Sequence, residues 1–174
     1  MTPAQIIAQI VGIFGIIVFL FLYHNKNMKN ILRVKLLMDV LWATHYLLLS
    51  AFSGFAINVV CCGREMIFMN NDKPLFKKKF WLWIFITFCW ISAALTWKGW
   101  YCIIPSSVST MATLSFWQKN VTKARWIGLC NNILMFTYDI FVLSYMGMVG
   151  ETLAFLSVIS ALIINRKASQ NNSQ

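Results

Sequence analysis

The chain has little acid and almost nothing with which to hold a metal or run acid–base chemistry. Its 174 residues carry five Asp and Glu against fifteen Lys and Arg, two His and three Pro. The histidines, His24 and His45, have no Asp or second His at ligand spacing, and no serine stands at readable spacing from a base. No reaction set follows from these residues, so an enzyme is not expected. Cysteine does not fill the gap. Cys61, Cys62, Cys89, Cys102 and Cys130 lie inside apolar segments with no Cys-x-x-Cys spacing, which indicates neither a disulfide framework nor a zinc site. No cofactor is expected. Long polar stretches are also missing, apart from a polar tail at 168–174 that reads as disordered. With 59% apolar residues, a soluble domain of this size could not cover itself with polar surface.

The residues that are there form seven apolar segments, at 4–24, 36–53, 55–70, 80–97, 99–117, 127–146 and 148–165. Each is close to the ~20 residues that an α-helix needs to cross a hydrocarbon core. The expected fold class is therefore an all-α polytopic bundle of seven transmembrane helices. The first segment lacks a basic leader region and a small-residue cleavage site, so it reads as a retained helix.

All the basic residues but Arg64, inside the third segment, and Lys98, after the fourth, fall in every second gap. Lys26, Lys29, Arg33 and Lys35 follow the first segment. Lys73, Lys77, Lys78 and Lys79 follow the third, Lys119, Lys123 and Arg125 the fifth, and Arg166 and Lys167 the last. The positive-inside bias then predicts an N-terminus outside and a C-terminus in the cytoplasm. The net charge of +10 is explained by this distribution and by anionic head groups, so nucleic acid is not an expected partner.

A shift of 93 positions lays the first three segments over the last three. Lys26-Asn27 falls over Lys119-Asn120, Leu36 over Leu129, Thr44 over Thr137 and Gly54 over Gly147. The fourth segment has no counterpart. The expectation is a three-plus-one-plus-three parallel repeat: a first unit at 1–72, a linker helix in 73–98 and a second unit at 99–167, each with a tight outer turn at its glycine. Repeats of this kind place a solute site near the midplane between units.

Ionisable groups at depth are costly unless paired or wet, and they mark functional candidates. Arg64 falls near mid-membrane and needs a partner. Adjacent Glu65 points about 100° away on a helix, so Asp139 is the expected counter-charge, with Asp39 and Glu151 nearer the two surfaces. His45 falls at mid-depth. Either these groups lock the halves together, or they face a cavity and meet a solute. Ser109 belongs to a hydroxyl stripe with Ser106, Thr110 and Thr113, while Asn58, Asn131 and Asn132 are polar contacts or helix cross-links. Pro105 lies over Gly12 in the repeat, and the pair is expected to bend its helices as hinges. Trp81, Trp83, Trp97, Trp100, Trp117 and Trp126 sit at segment ends, as an aromatic belt would.

His45-Tyr46-Leu47-Leu48-Leu49, with Arg64 nineteen positions after the histidine, and Tyr138-Asp139, with Glu151 thirteen after the tyrosine, resemble the paired signatures of the YgjV-type bacterial inner-membrane proteins. The resemblance spans nearly the full length. In that family the second signature is often an aromatic or histidine followed by asparagine, where this chain has Asp139. The layout is more distantly similar to the SWEET, PQ-loop and PnuC-like carriers. The resemblance carries no established activity. The expectation is a small-solute transporter or facilitator whose binding residues are Arg64, His45, Asp139, Asn58, Ser109 and Glu151. The alternative is a non-transporting receptor or assembly factor that engages partners through its basic cytoplasmic loops.

Overall fold

In the computed structural model, residues 2–22, 28–70, 73–118 and 121–171 are described. They form seven helices and no strand: α1 (Pro3–Leu22), α2 (Met28–Leu48), α3 (Phe52–Met69), α4 (Phe80–Leu95), α5 (Ile103–Gln118), α6 (Val121–Phe141) and α7 (Tyr145–Asn171), with a 3₁₀ turn at Trp100–Cys102 before α5. The helix α7 continues past the boundary expected at 167, and 172–174 lie outside the described residues, as do Lys26 and Lys119.

Helices α2 and α6 begin in the basic stretches rather than after them. Hydropathy locates the apolar core of a helix, but backbone hydrogen bonding continues through Lys and Arg, which are good helix formers. Among the described residues one helix, Phe52–Met69, is long and apolar enough by itself to cross a membrane, and Pro3–Phe19, Phe80–Leu95 and Tyr145–Ser160 are shorter apolar helices. The two 16-residue helices, α4 and α5, reach only about 24 Å at ~1.5 Å per residue.

Helix α2 packs between α1 and α3, and α6 packs between α5 and α7. The ring closes through α1 against α7 and α3 against α5, while α4 lies along α3 and α5. The α2–α3 and α6–α7 turns share one end of the bundle with the start of α1. Gln9 Oε1 there accepts from Met146 N–H at 2.9 Å, and Lys98, between α4 and α5, donates to Ser50 O at 3.2 Å. We call this the turn end.

The turns at this end match in detail. Both α2 and α6 are 21 residues long. The residues that reverse the chain are Ser50 and Leu143, 93 apart and both at φ 55°. Each is followed by a bond that reaches back five residues, Ala51 N–H to Tyr46 O and Ser144 N–H to Asp139 O, both 2.9 Å, which satisfies an orphan carbonyl at the helix C-terminus. The glycines expected to make these turns do not. Gly54 and Gly147 are the third residues of α3 and α7, and they permit close approach instead: a Cβ on Gly54 would lie 2.8 Å from Tyr46 Cγ and 2.9 Å from Tyr138 Oη.

The distribution of polarity is inverted relative to a soluble protein. The fully buried side chains include Arg64, Glu65, His45, Tyr138 and Asp139, whereas Ile6, Phe14, Val59, Phe88, Ile140 and many other large apolar residues are exposed. Water would penalise both halves of that arrangement, and a hydrocarbon surround would favour both.

Candidate functional site

The buried polar residues form two separate clusters. The first joins the ends of α2 and α6 beneath the two turns. Tyr46 Oη donates to Asp139 Oδ1 at 2.7 Å, and these two positions are themselves 93 apart. Beside them, His45 Nδ1 lies 2.7 Å from Ala8 O and Nε2 lies 2.7 Å from Ser144 Oγ. A carbonyl can only accept, so Nδ1 carries the proton, and in neutral His45 the Ser144 hydroxyl donates to Nε2. The remaining oxygen of Asp139, Oδ2, is buried without a hydrogen bond, although Ser144 Oγ and Oδ2 both crowd the open face of Gly147.

These side chains also complete helix termini. Ala51 precedes α3 and offers no capping side chain. Tyr138 supplies the missing acceptor from α6: its Oη accepts from Gly54 N–H at 2.9 Å and shares a 2.9 Å hydrogen bond with Ser53 Oγ. Ser144 caps α7 itself, accepting from Gly147 N–H at 3.2 Å, and His45 reaches across from α2 to hold that serine. Position 45 plus 93 is 138, so two residues 93 apart each support the start of a helix across the bundle, His45 of α2 that of α7 and Tyr138 of α6 that of α3. Orphan donors in a first helical turn are expensive away from water. Tyr138→Phe should therefore lower stability by about 1–3 kcal/mol, measured by denaturation in micelles, with the apolar packing of the ring retained.

Directly above, Ser53, Ser50, Gln5, Lys98, Tyr101 and Leu143 help to line a cavity of about 230 Å³ at the turn end. Ser53 belongs to both cavity and cluster.

The second cluster lies deeper. Arg64 is held by Glu65 Oε1, 2.7 Å from Nη2 and 3.3 Å from Nε, while Nη1 donates to Thr113 Oγ1 at 2.8 Å, Ser109 Oγ at 3.2 Å and Ser109 O at 3.3 Å. Lys35 joins the group at 3.1 Å from Asp39 and 3.9 Å from Glu65. Two positive and two negative groups thus tie α2, α3 and α5 together.

This corrects the expected Arg64–Asp139 pair. Arg64 lies twelve residues from the turn end of α3, about 18 Å deep, whereas Asp139 is two residues from the turn end of α6, about 3 Å deep. His45, three residues before the end of α2, is likewise shallow rather than central. Glu65 is the partner despite the 100° offset because α3 is covered by both α2 and α5, so the whole arc between the two side chains is interior.

The remaining expected residues fall as follows. Ser109 belongs to the Arg64 cluster. Asn58 donates to Gly54 O of its own helix at 2.8 Å and joins neither cluster. Glu151 is half-buried against Asn132 and belongs to neither cluster, although one cavity that it lines is walled by Trp42, whose ring packs against His45 and Tyr46. Neither hinge residue is placed to bend its helix. Pro105 is the third residue of α5, within the first turn, where its missing N–H has little to lose. At Gly12 a Cβ would come within 2.6 Å of Met146 Cβ and 3.2 Å of the His45 ring, so the glycine serves close packing of α1. Tyr46, Ser144 and Lys35 were not singled out as site residues from sequence. The 93-residue shift already placed Tyr46 on Asp139, and that alignment was the available signal.

An all-α bundle with ionisable groups inside and large apolar side chains outside has the polarity expected of a membrane protein. The chain belongs to the Imp-YgjV family of bacterial inner membrane proteins, whose family profile matches residues 6–169. No curated protein matches the chain, and no solved structure does.

Proposed function

We propose that the protein is a small-solute transporter or facilitator that crosses the inner membrane seven times, N-terminus out and C-terminus in, as two three-helix units about a linker helix. The equal lengths of α2 and α6, the left-handed residues 93 apart and the exchanged helix caps all support the repeat. The observation that carries the functional reading is the buried Tyr46–Asp139 hydrogen bond, made between corresponding positions of the two units beneath a polar cavity.

A contact of this kind can be exchanged. A hydroxyl or amine of a solute entering from the turn end can replace the Tyr46 hydroxyl on Asp139, so the cost of separating the units is offset only when solute is present. That differential binding is what a carrier requires. Arg64 has no part in this step, because Glu65, Ser109 and Thr113 already engage its guanidinium.

The test is a thermal-shift screen of the purified protein against sugars, nucleosides, amino acids and small carboxylates, run beside Asp139→Asn. One class of solute should stabilise the native protein, by about 2.7 kcal/mol at a hundred times its Kd, and should lose that effect in the variant. Equal stabilisation of both proteins, or none by any solute, would reject the site.

A second reading rests on Lys73, Lys77, Lys78 and Lys79, which are all exposed in the segment between α3 and α4. A receptor or assembly factor would use them on an anionic lipid or partner. Their replacement by glutamine should leave the solute shift unchanged if transport is the function.

A further inference from the structure

Among the described residues, Glu151 is the carboxylate that neither cluster uses. It lies six residues into α7, and among the described residues no cation pairs with it. Lys35 is already held by Asp39 and Glu65. The partner of Glu151 is an amide. With the Asn132 side chain turned to satisfy its neighbours, Nδ2 donates to Glu151 Oε2 and to Gly128 O, each at 3.1 Å. A hydrogen bond from an amide steadies a carboxylate without neutralising it, and an uncompensated charge in apolar surroundings is costly.

Glu151 and Asn132 stand at the junction of two cavities. One, of about 180 Å³, runs between α6 and α7 and is walled by Ile133, Phe136, Thr152 and Phe155. The other, of about 70 Å³, lies toward α1 and α2 and is walled by Ile16, Phe19, Met38 and Trp42. The indole has room there because Gly15 and Gly150 lack side chains: a Cβ on either would come within 3.2 or 3.4 Å of its ring. Apolar walls, one carboxylate that no cation among the described residues pairs with, and an aromatic ring together suit a ligand that brings positive charge on an apolar body.

We propose that the Glu151–Asn132 junction binds a monovalent organic cation, a primary ammonium on a body about the size of one aromatic ring. The ammonium meets Glu151, and the body lies in the larger cavity, which is open along Ile133, Phe136 and Thr152. This site uses other residues than the Tyr46–Asp139 contact, although Trp42 in its wall also packs against His45 and Tyr46, and the proposal does not rest on the transport reading.

The test is calorimetric titration of the full-length protein in phosphatidylglycerol nanodiscs with benzylammonium, beside its uncharged near-isostere benzyl alcohol. Benzylammonium should bind saturably, one per chain, and about tenfold or more tighter than the alcohol. Glu151→Gln should abolish that preference. Thr152→Leu, which fills the larger cavity from its exposed wall and keeps the carboxylate, should weaken both ligands, and it decides the matter if Glu151→Gln does not fold. Equal binding of cation and alcohol by the native protein, or unchanged cation binding by Glu151→Gln, would overturn the proposal. Discs containing phosphatidylethanolamine separate a free amine from a lipid head group. Unchanged affinity supports the free amine, and a tenfold loss assigns the site to the lipid and overturns that choice.

Discussion

Replacing Arg64 with methionine should lower folding stability by about 3–5 kcal/mol, the usual cost of removing one partner from a buried ion pair. The penalty is not the loss of the pair itself. The substitution leaves Glu65 fully buried with Lys35 at 3.9 Å as its remaining cation, and it leaves the Ser109 and Thr113 hydroxyls facing a thioether. The double variant Arg64→Met, Glu65→Gln removes both charges, so it should recover part of the loss, less the packing cost of the shorter thioether. Reversible denaturation of the three proteins in one detergent measures this. A single variant within about 1 kcal/mol of native would mean that the four-charge group does not hold α2, α3 and α5 together.

The second large effect is expected from one methyl group. In Gly147→Ala the new Cβ would collide with both Ser144 Oγ and Asp139 Oδ2. Either atom moving breaks a contact of the first cluster: His45 to Ser144, or Tyr46 to Asp139. Overpacking together with a lost buried hydrogen bond should cost about 3 kcal/mol. It should also abolish any solute-dependent stabilisation. Gly128→Ala is the control within α6. A Cβ there meets nothing within 4 Å, so the change should be neutral or should stabilise by up to about 1 kcal/mol through helix propensity. Equal midpoints for the two alanine variants would mean that the space beside Gly147 is not committed.

How far the sequence could be read depended on which physical quantity carried each feature. The helix count and the buried positions of His45, Arg64 and Asp139 followed from hydropathy, because ionisable side chains inside apolar segments have nowhere else to go. Depth did not follow. The apolar segment at 36–53 and the helix Met28–Leu48 are offset by several residues, and that offset moved His45 from the middle of the bundle to its end. Once depth was wrong, Arg64 and Asp139 looked level when they are about 15 Å apart along the bundle. The turns were missed for a different reason. Left-handed backbone usually selects glycine, but here Ser50 and Leu143 take that conformation and the nearby glycines are spent on close approach. The partner of Arg64 was missed because an angular rule for exposed helices was applied to a helix covered by neighbours on both sides.

The exchange of caps between α3 and α7 makes the pairs α2–α3 and α6–α7 unequal parties. Were the repeat made of two copies of 28–70, His45 would reach toward Ala51, which has no hydroxyl to meet it, and Tyr46 would face another tyrosine. Two copies of 121–163 would set Asp139 against Asp139, like charges in a dry interior. On the proposed repeat, each half would recognise only its counterpart, as in a heterodimer that happens to be encoded in one reading frame. Co-expressed fragments cut between α3 and α4 should reassemble as the mixed pair and never as either homodimer.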